Sequence, residues 1–128
     1  MTRAERWIDR WVALLNTPNP DEAASFLSPR VTIYAYEEGV GGPQKTYVGL
    51  DAVYKWISKA PQGRFLFERL SASIGDVQEA LPNASERYTG GYRITHEESG
   101  FTNTGRWELA IEGDHIVGLL HLPEPIDD

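Results

Sequence analysis

The chain holds three histidines, six tyrosines and no cysteine. The residue best suited to moving a proton is His121, because an unperturbed imidazole titrates near neutrality. It closes the stretch "GRWELAIEGDHIVGLLHL", Gly105 to Leu122, which reads as two strands folded back on a Gly113-Asp114 turn. A two-residue turn pairs Ile111 with Ile116, Trp107 with Leu120 and Arg106 with His121. On that count His121 joins Arg106 and Glu108 on a polar outer face, as an ordinary exposed strand histidine. One bulge in the last strand reverses the face and turns His121 inward. The sequence leaves both registers open.

The other candidates are weaker. His115 flanks the turn and reads as solvated. His96 is followed by Glu97 and Glu98, but there is no HxH or HExxH spacing, so no metal site is expected. Tyr34 and Tyr36 share one face of a strand, opposite Ile33 and Ala35, and one of the two faces must look inward. Tyr36 and Glu37 lie at the strand end, where an irregularity could turn either inward. Glu37 against an apolar wall would gain the raised pKa that a general acid or base uses. A solvated acidic loop with Glu38 and Lys45 is the simpler reading. Without cysteine there is no thiol nucleophile and no thiolate metal site. The serines lack a strand–elbow–helix context, and no paired carboxylates sit at strand positions. The glycines of "EGVGGPQK" lack a Gly-Lys-Ser/Thr ending, so they read as a turn or flexible loop and not as a phosphate cradle.

The 128 residues fit one domain, 1–128, with a polar tail at 123–128. A formal net charge of −7 with no Lys/Arg cluster argues against nucleic-acid partners. It also favours neutral or cationic small molecules over anionic ones. No run approaches ~18 uninterrupted apolar residues, so no membrane span is expected. The N-terminus lacks the apolar core of a secretion signal, and a cytoplasmic location is the expectation. Trp11, Tyr34, Tyr36, Tyr54, Trp56 and Trp107 are more aromatic surface than a core of this size needs. They suggest an aromatic-lined cavity, with Leu109 and Leu119 completing its wall.

Positioning such groups falls to three helices and a run of strands. Residues 2–16 carry Trp7, Trp11, Leu14 and Leu15 at helical spacing, with Ile8 and Val12 beside them. Asn19 then caps a short helix with Pro20 at its first position and Asp21 and Glu22 in its first turn. "RVTIYAYE" reads as a strand, and "VGLDAVYKWISKA" reads as a third helix with Val53, Trp56 and Ile57 on one face. Four strands follow in meander, and Gly90-Gly91 inside the second of them suggests a bulge or sharp bend. This order indicates an α+β fold, a curved antiparallel sheet wrapped around three helices as a cone with a central pocket.

Three stretches, in this order, resemble the nuclear-transport-factor-2-like superfamily, which includes SnoaL-like cyclases and ketosteroid isomerases. They are "RWVALLNTPNPDEAASFLSPRVTIY", "YVGLDAVYKWI" and "GRWELAIEGDHIVGLLHLPE". The resemblance covers nearly the whole chain and implies the cone fold. It implies little about activity, because that fold hosts enzymes and non-enzymatic binders alike. Carried over from ketosteroid isomerases, the oxyanion tyrosine falls at Trp11, the catalytic base at Ala35 and the donor aspartate at Trp107. An indole N–H can donate a hydrogen bond but cannot take a proton, and alanine can do neither. That isomerase constellation is therefore not retained.

The sequence thus points to a domain that binds a neutral, mostly apolar small molecule, without metal or organic cofactor. If it is catalytic, isomerisation, cyclisation or dehydration by proton transfer is expected. His121, Tyr36 and Glu37 are the candidate groups, and Trp11, Tyr34, Ala35, Tyr54, Trp56, Trp107, Leu109 and Leu119 line the ligand. The alternative is a non-catalytic ligand-binding or assembly module. A homodimer through the sheet face is expected in either case.

Overall fold

The computed structural model of the chain describes residues 1–36, 45–76, 81 and 84–124. Helix α1 (Arg3–Asn16) begins at a capping box. The Thr2 hydroxyl accepts from the Glu5 N–H, and the Glu5 carboxylate accepts from the Thr2 N–H. Its apolar stripe, Trp7, Ile8, Trp11, Leu14 and Leu15, is buried. Helix α2 (Pro20–Phe26) is capped by the Asn19 side chain. It runs directly into β1 (Leu27–Ala35).

A short strand β2 (Lys45–Val48) precedes α3 (Leu50–Ile57) and a one-turn α4 (Lys59–Gln62). Neither β2 nor a separate α4 is legible in the residue pattern. The remaining strands are β3 (Phe65–Arg69), β4 (Ser73–Ile74), β5 (Glu86–His96), β6 (Thr102–Glu112) and β7 (His115–Pro123).

The strands form one sheet in the order β2-β1-β7-β6-β5-β3, with β4 also paired to β5. The expected meander is present as β3-β5-β6-β7. The sheet is mixed where an antiparallel one is expected, because β1 lies parallel to β7. That pairing joins segments far apart in the chain, and local patterning does not specify its direction.

Helix α1 lies across the concave face and is tied there by polar contacts as well as by its apolar stripe. The Asn16 amide donates to Phe67 O and accepts from Phe67 N–H, both at 2.8 Å. It thereby satisfies two backbone groups on β3. Arg69 donates to Asp9 at 2.6 Å and to Glu5 at 3.3 Å.

At Gly90 the helix presses directly on the sheet, and a Cβ there would stand 2.8 Å from Ile8 Cδ1. The bulge expected at Gly90-Gly91 lies instead on the neighbouring segment. Residues 70–72 stand opposite the two glycines, between the pairs Arg69–Tyr92 and Ser73–Thr89. The register of β5 with β6 runs unbroken.

The last hairpin does contain a bulge. Ile111 pairs with Ile116 but Ala110 pairs with Gly118, which leaves Val117 as the extra residue. From there on β7 is shifted by one, so Trp107 faces His121 and not Leu120. His121 therefore points into the cone. A second, smaller apolar cluster covers the outer face, where Leu81, Ala110 and Leu120 are packed by Tyr34, Ala84, Val117 and Leu122.

Candidate functional site

Across the concave face, strand pairing sets Ala35, His121, Trp107 and Gly90 in one row. Tyr92, two residues along β5 from Gly90, lies diagonal to Trp107. Its ring stacks on both Trp107, at 4.4 Å between centroids, and His121, at 5.4 Å. The Trp107 indole N–H donates to His121 Nδ1 at 2.9 Å. An acceptor nitrogen carries no proton, so the neutral ring must hold its hydrogen on Nε2. Nε2 lies 3.4 Å from the Tyr92 hydroxyl, which is long for a hydrogen bond.

Burial drives the His121 pKa down to about 4, because an imidazolium here would be cut off from water. No carboxylate among the described residues forms an ion pair with it. The Trp107 N–H acts in the same direction, since protonating Nδ1 would set two donors against each other. His121 is thus held as a neutral ring at physiological pH, with its hydrogen on Nε2.

His121 lines a cavity of about 310 Å³ together with Leu15, Trp56, Ile57, Lys59, Ala60, Phe65, Phe67 and Ile94. Trp56 stands edge-on to the imidazole at 5.2 Å and stacks on Trp11 at 6.5 Å. Lys59, on α4, is the exposed member of this lining. A larger hollow of about 460 Å³ opens at the other end of α1, lined by Thr2, Arg3, Ser73, Ile74, Glu86 and Tyr88 among others. Three of its polar groups are engaged with each other. Arg3 pairs with Glu86 through two hydrogen bonds, and the Tyr88 hydroxyl donates to the same carboxylate. We therefore place the candidate site at His121.

Of the residues expected to line the ligand, Trp56 lines this cavity, beside the catalytic candidate His121. Trp11, Ala35, Trp107, Leu109 and Leu119 are buried in the core behind the cavity. They shape it without facing it. The Trp11 indole N–H is buried with no hydrogen-bond partner among the described residues.

Tyr34 packs into the outer cluster, because Ile33 and Ala35 occupy the inner face of β1. Tyr36 continues the ladder, its N–H donating to His121 O at 3.0 Å. That puts it on the side of Tyr34 and off the cavity wall. Tyr54 lines a separate shallow cleft with Pro20, Ala23, Leu50 and Asp51, because it projects from α3 toward α2. Glu37 lies outside the described residues.

Sequence reasoning missed Tyr92, Lys59 and the Phe65/Phe67 pair. The two-residue periodicity Tyr88, Gly90, Tyr92, Ile94 was the available signal for Tyr92. Of the three positions to which the resemblance assigns isomerase groups, Trp107 and Ala35 adjoin His121 and Trp11 adjoins Trp107. Trp107 bonds His121, Ala35 pairs with it across β1 and β7, and Trp11 meets Trp107 edge-on at 6.2 Å.

Among the described residues, no group of three or more His, Asp or Glu side chains is placed to hold a metal ion. No helix there is long and apolar enough to cross a membrane.

No protein-family model matches the chain, and no curated protein matches it in sequence. Solved structures do match it in shape. A candidate isomerase of the SnoaL-like family from Agrobacterium tumefaciens superposes with a TM-score of 0.72 at 10% identity, covering 97% of this chain and 99% of that one. An NTF2-like protein of unknown function from Mesorhizobium loti superposes at 0.69 with 17% identity, covering 97% and 95%. A hypothetical protein with a ketosteroid-isomerase-like fold from Catenulispora acidiphila, solved with trimethylamine, gives 0.63 at 13% identity, covering 88% and 81%. At such identities the likeness speaks for architecture alone, and on that ground the chain has the nuclear-transport-factor-2-like fold.

Proposed function

We propose that this protein binds a small, mostly apolar molecule in the His121 cavity and presents the Nε2–H of a neutral histidine to an acceptor on it. The observation that carries this reading is the Trp107 N–H on His121 Nδ1, which fixes the tautomer. Aromatic and aliphatic walls with one inward donor suit a flat ligand carrying a carbonyl or ether oxygen. Such a donor can polarise a carbonyl, but it cannot abstract a proton. With no carboxylate on the described cavity wall, binding is better supported than isomerase, cyclase or dehydratase chemistry.

A matched pair of probes tests this. 2-Acetylnaphthalene is expected to bind about fivefold tighter than 2-ethylnaphthalene, the worth of one net hydrogen bond, read by tryptophan fluorescence. His121→Phe should erase the difference. Equal affinity of the two probes for the wild-type protein would contradict the assignment.

The outer sheet face supports a homodimer. Tyr34, Val117 and Leu122 are half-buried around Leu81, Ala110 and Leu120, and Leu66 on the same face is 46% exposed. Light scattering at micromolar concentration is expected to read a dimer, and a monomer there would count against this surface.

A further inference from the structure

The walls of the cavity carry two polar side chains, and they are of one kind. His121 offers an N–H and Lys59 an ammonium, and no Asp or Glu lines the cavity. Lys59 forms no ion pair among the described residues. Its position is set by the backbone around it. The Ser58 hydroxyl donates to Tyr54 O at 2.9 Å where α3 ends, and Gly63 N–H donates to Lys59 O at 3.0 Å where α4 closes. Arg64, next along, holds a left-handed φ of 61°, and its carbonyl accepts from Glu97 N–H at 3.0 Å. The turn bearing Lys59 is thereby anchored between α3 and the β3–β5 edge.

We infer that the ligand is an apolar carboxylate, its acid group held at the cavity mouth by Lys59 and its body lying along Trp56, Phe65, Phe67 and Ile94 toward His121. The inference rests on the reading of the cavity as a ligand site. The geometry favours the acid at the mouth and not at His121. An anion beside Lys59 keeps part of its water, whereas one buried against a neutral imidazole would lose its hydration with no opposite charge nearby. The overall charge of −7 repels anions only weakly at this point, because at physiological salt fields are screened over about 8 Å. An amine ligand would meet the lysine's like charge, which reverses the preference for cations that composition alone suggests.

Octanoate, 1-octanol and octylamine share one chain and differ in head charge, so their binding at pH 7.5 separates the possibilities. Octanoate is expected to bind about fivefold tighter than octanol, as one partly solvated ion pair allows, with octylamine weakest. Lys59→Gln should remove that advantage and leave octanol unchanged, while Lys59→Arg should keep it. Because Lys59 is exposed, neither variant threatens folding. If octanol matches octanoate, or Lys59→Gln changes nothing, the carboxylate inference is overturned and the cavity reading stands. If none of the three binds, both fall.

Discussion

Gly105→Ala is expected to be the most damaging single methyl that can be added near the site. Gly105 sits in β6 opposite Tyr92 on one side and Pro123 on the other. A Cβ there would stand 2.5 Å from the Tyr92 hydroxyl oxygen, 2.6 Å from its Cζ and 2.7 Å from Leu122 O. The phenol cannot swing away freely, because its ring is stacked on both Trp107 and His121. The carbonyl belongs to the ladder that holds β7 against β6. Overpacking of a well-filled core costs about 1–3 kcal/mol. With ring and backbone both in the way, the upper end applies, a fall in Tm of about 10 °C.

Thr104→Ala, one residue away and exposed, should stay within about 0.5 kcal/mol of wild type. Tyr92→Phe combined with Gly105→Ala should recover part of the loss by removing the nearest atom, and the clash with Leu122 O should keep the rest. A Gly105→Ala protein as stable as wild type in urea denaturation would contradict the packing described around His121.

Acid should destabilise the fold through His121. The sign follows from the depressed pKa. Above pH 6.5 the ring is neutral both folded and unfolded, and it has no effect on stability. As pH falls from 6.5 toward about 4, the unfolded chain takes up a proton that the folded one refuses, so stability is progressively lost. A separation of about 2.5 pH units at 1.36 kcal/mol each amounts to about 3 kcal/mol by pH 4.

Other groups also respond to acid. Glu86 is held low by the Arg3 guanidinium and Glu5 by its bond from Thr2 N–H, so both also stabilise the fold less as they protonate. Glu108 is pushed up by burial and acts the other way. All three remain in His121→Gln, so the difference between the two proteins isolates the histidine. Wild type should lose about 3 kcal/mol more than His121→Gln between pH 7 and pH 4. Parallel pH profiles would show that His121 is not buried as a neutral ring.

Much of this architecture is legible in the residues. The α1 stripe, the Asn19–Pro20 entry to α2 and the strands after Arg64 follow from spacing and capping chemistry. The register of the last strand does not, and the reason is physical. In "HIVGLL" the residues Ile116, Val117, Leu119 and Leu120 are apolar in either register, so alternation cannot choose between them. The outer face hides the choice further, because Leu81 and Tyr34 cover Ala110 and Leu120 and remove the polar signature of an exposed face. The fate of His121 therefore turned on Val117, which no local pattern marks as a bulge.

Tyr34 was ambiguous for a related reason. Its strand has apolar or aromatic residues on both faces, and only the pairing of Ala35 with His121 shows which is inner. Tyr92 and Lys59 join the site through long-range pairing and through the break between α3 and α4, neither of which leaves a local trace.

The central claim is the protonation state of one ring. Nitrogen NMR of His121 in protein labelled at the imidazole nitrogens reads it directly. We expect a protonated Nε2 and an unprotonated Nδ1, unchanged from pH 8 to pH 5, with the Nε2–H signal shifting when 2-acetylnaphthalene is added. A ring that titrates near pH 6.5, or one with its proton on Nδ1, would contradict the account.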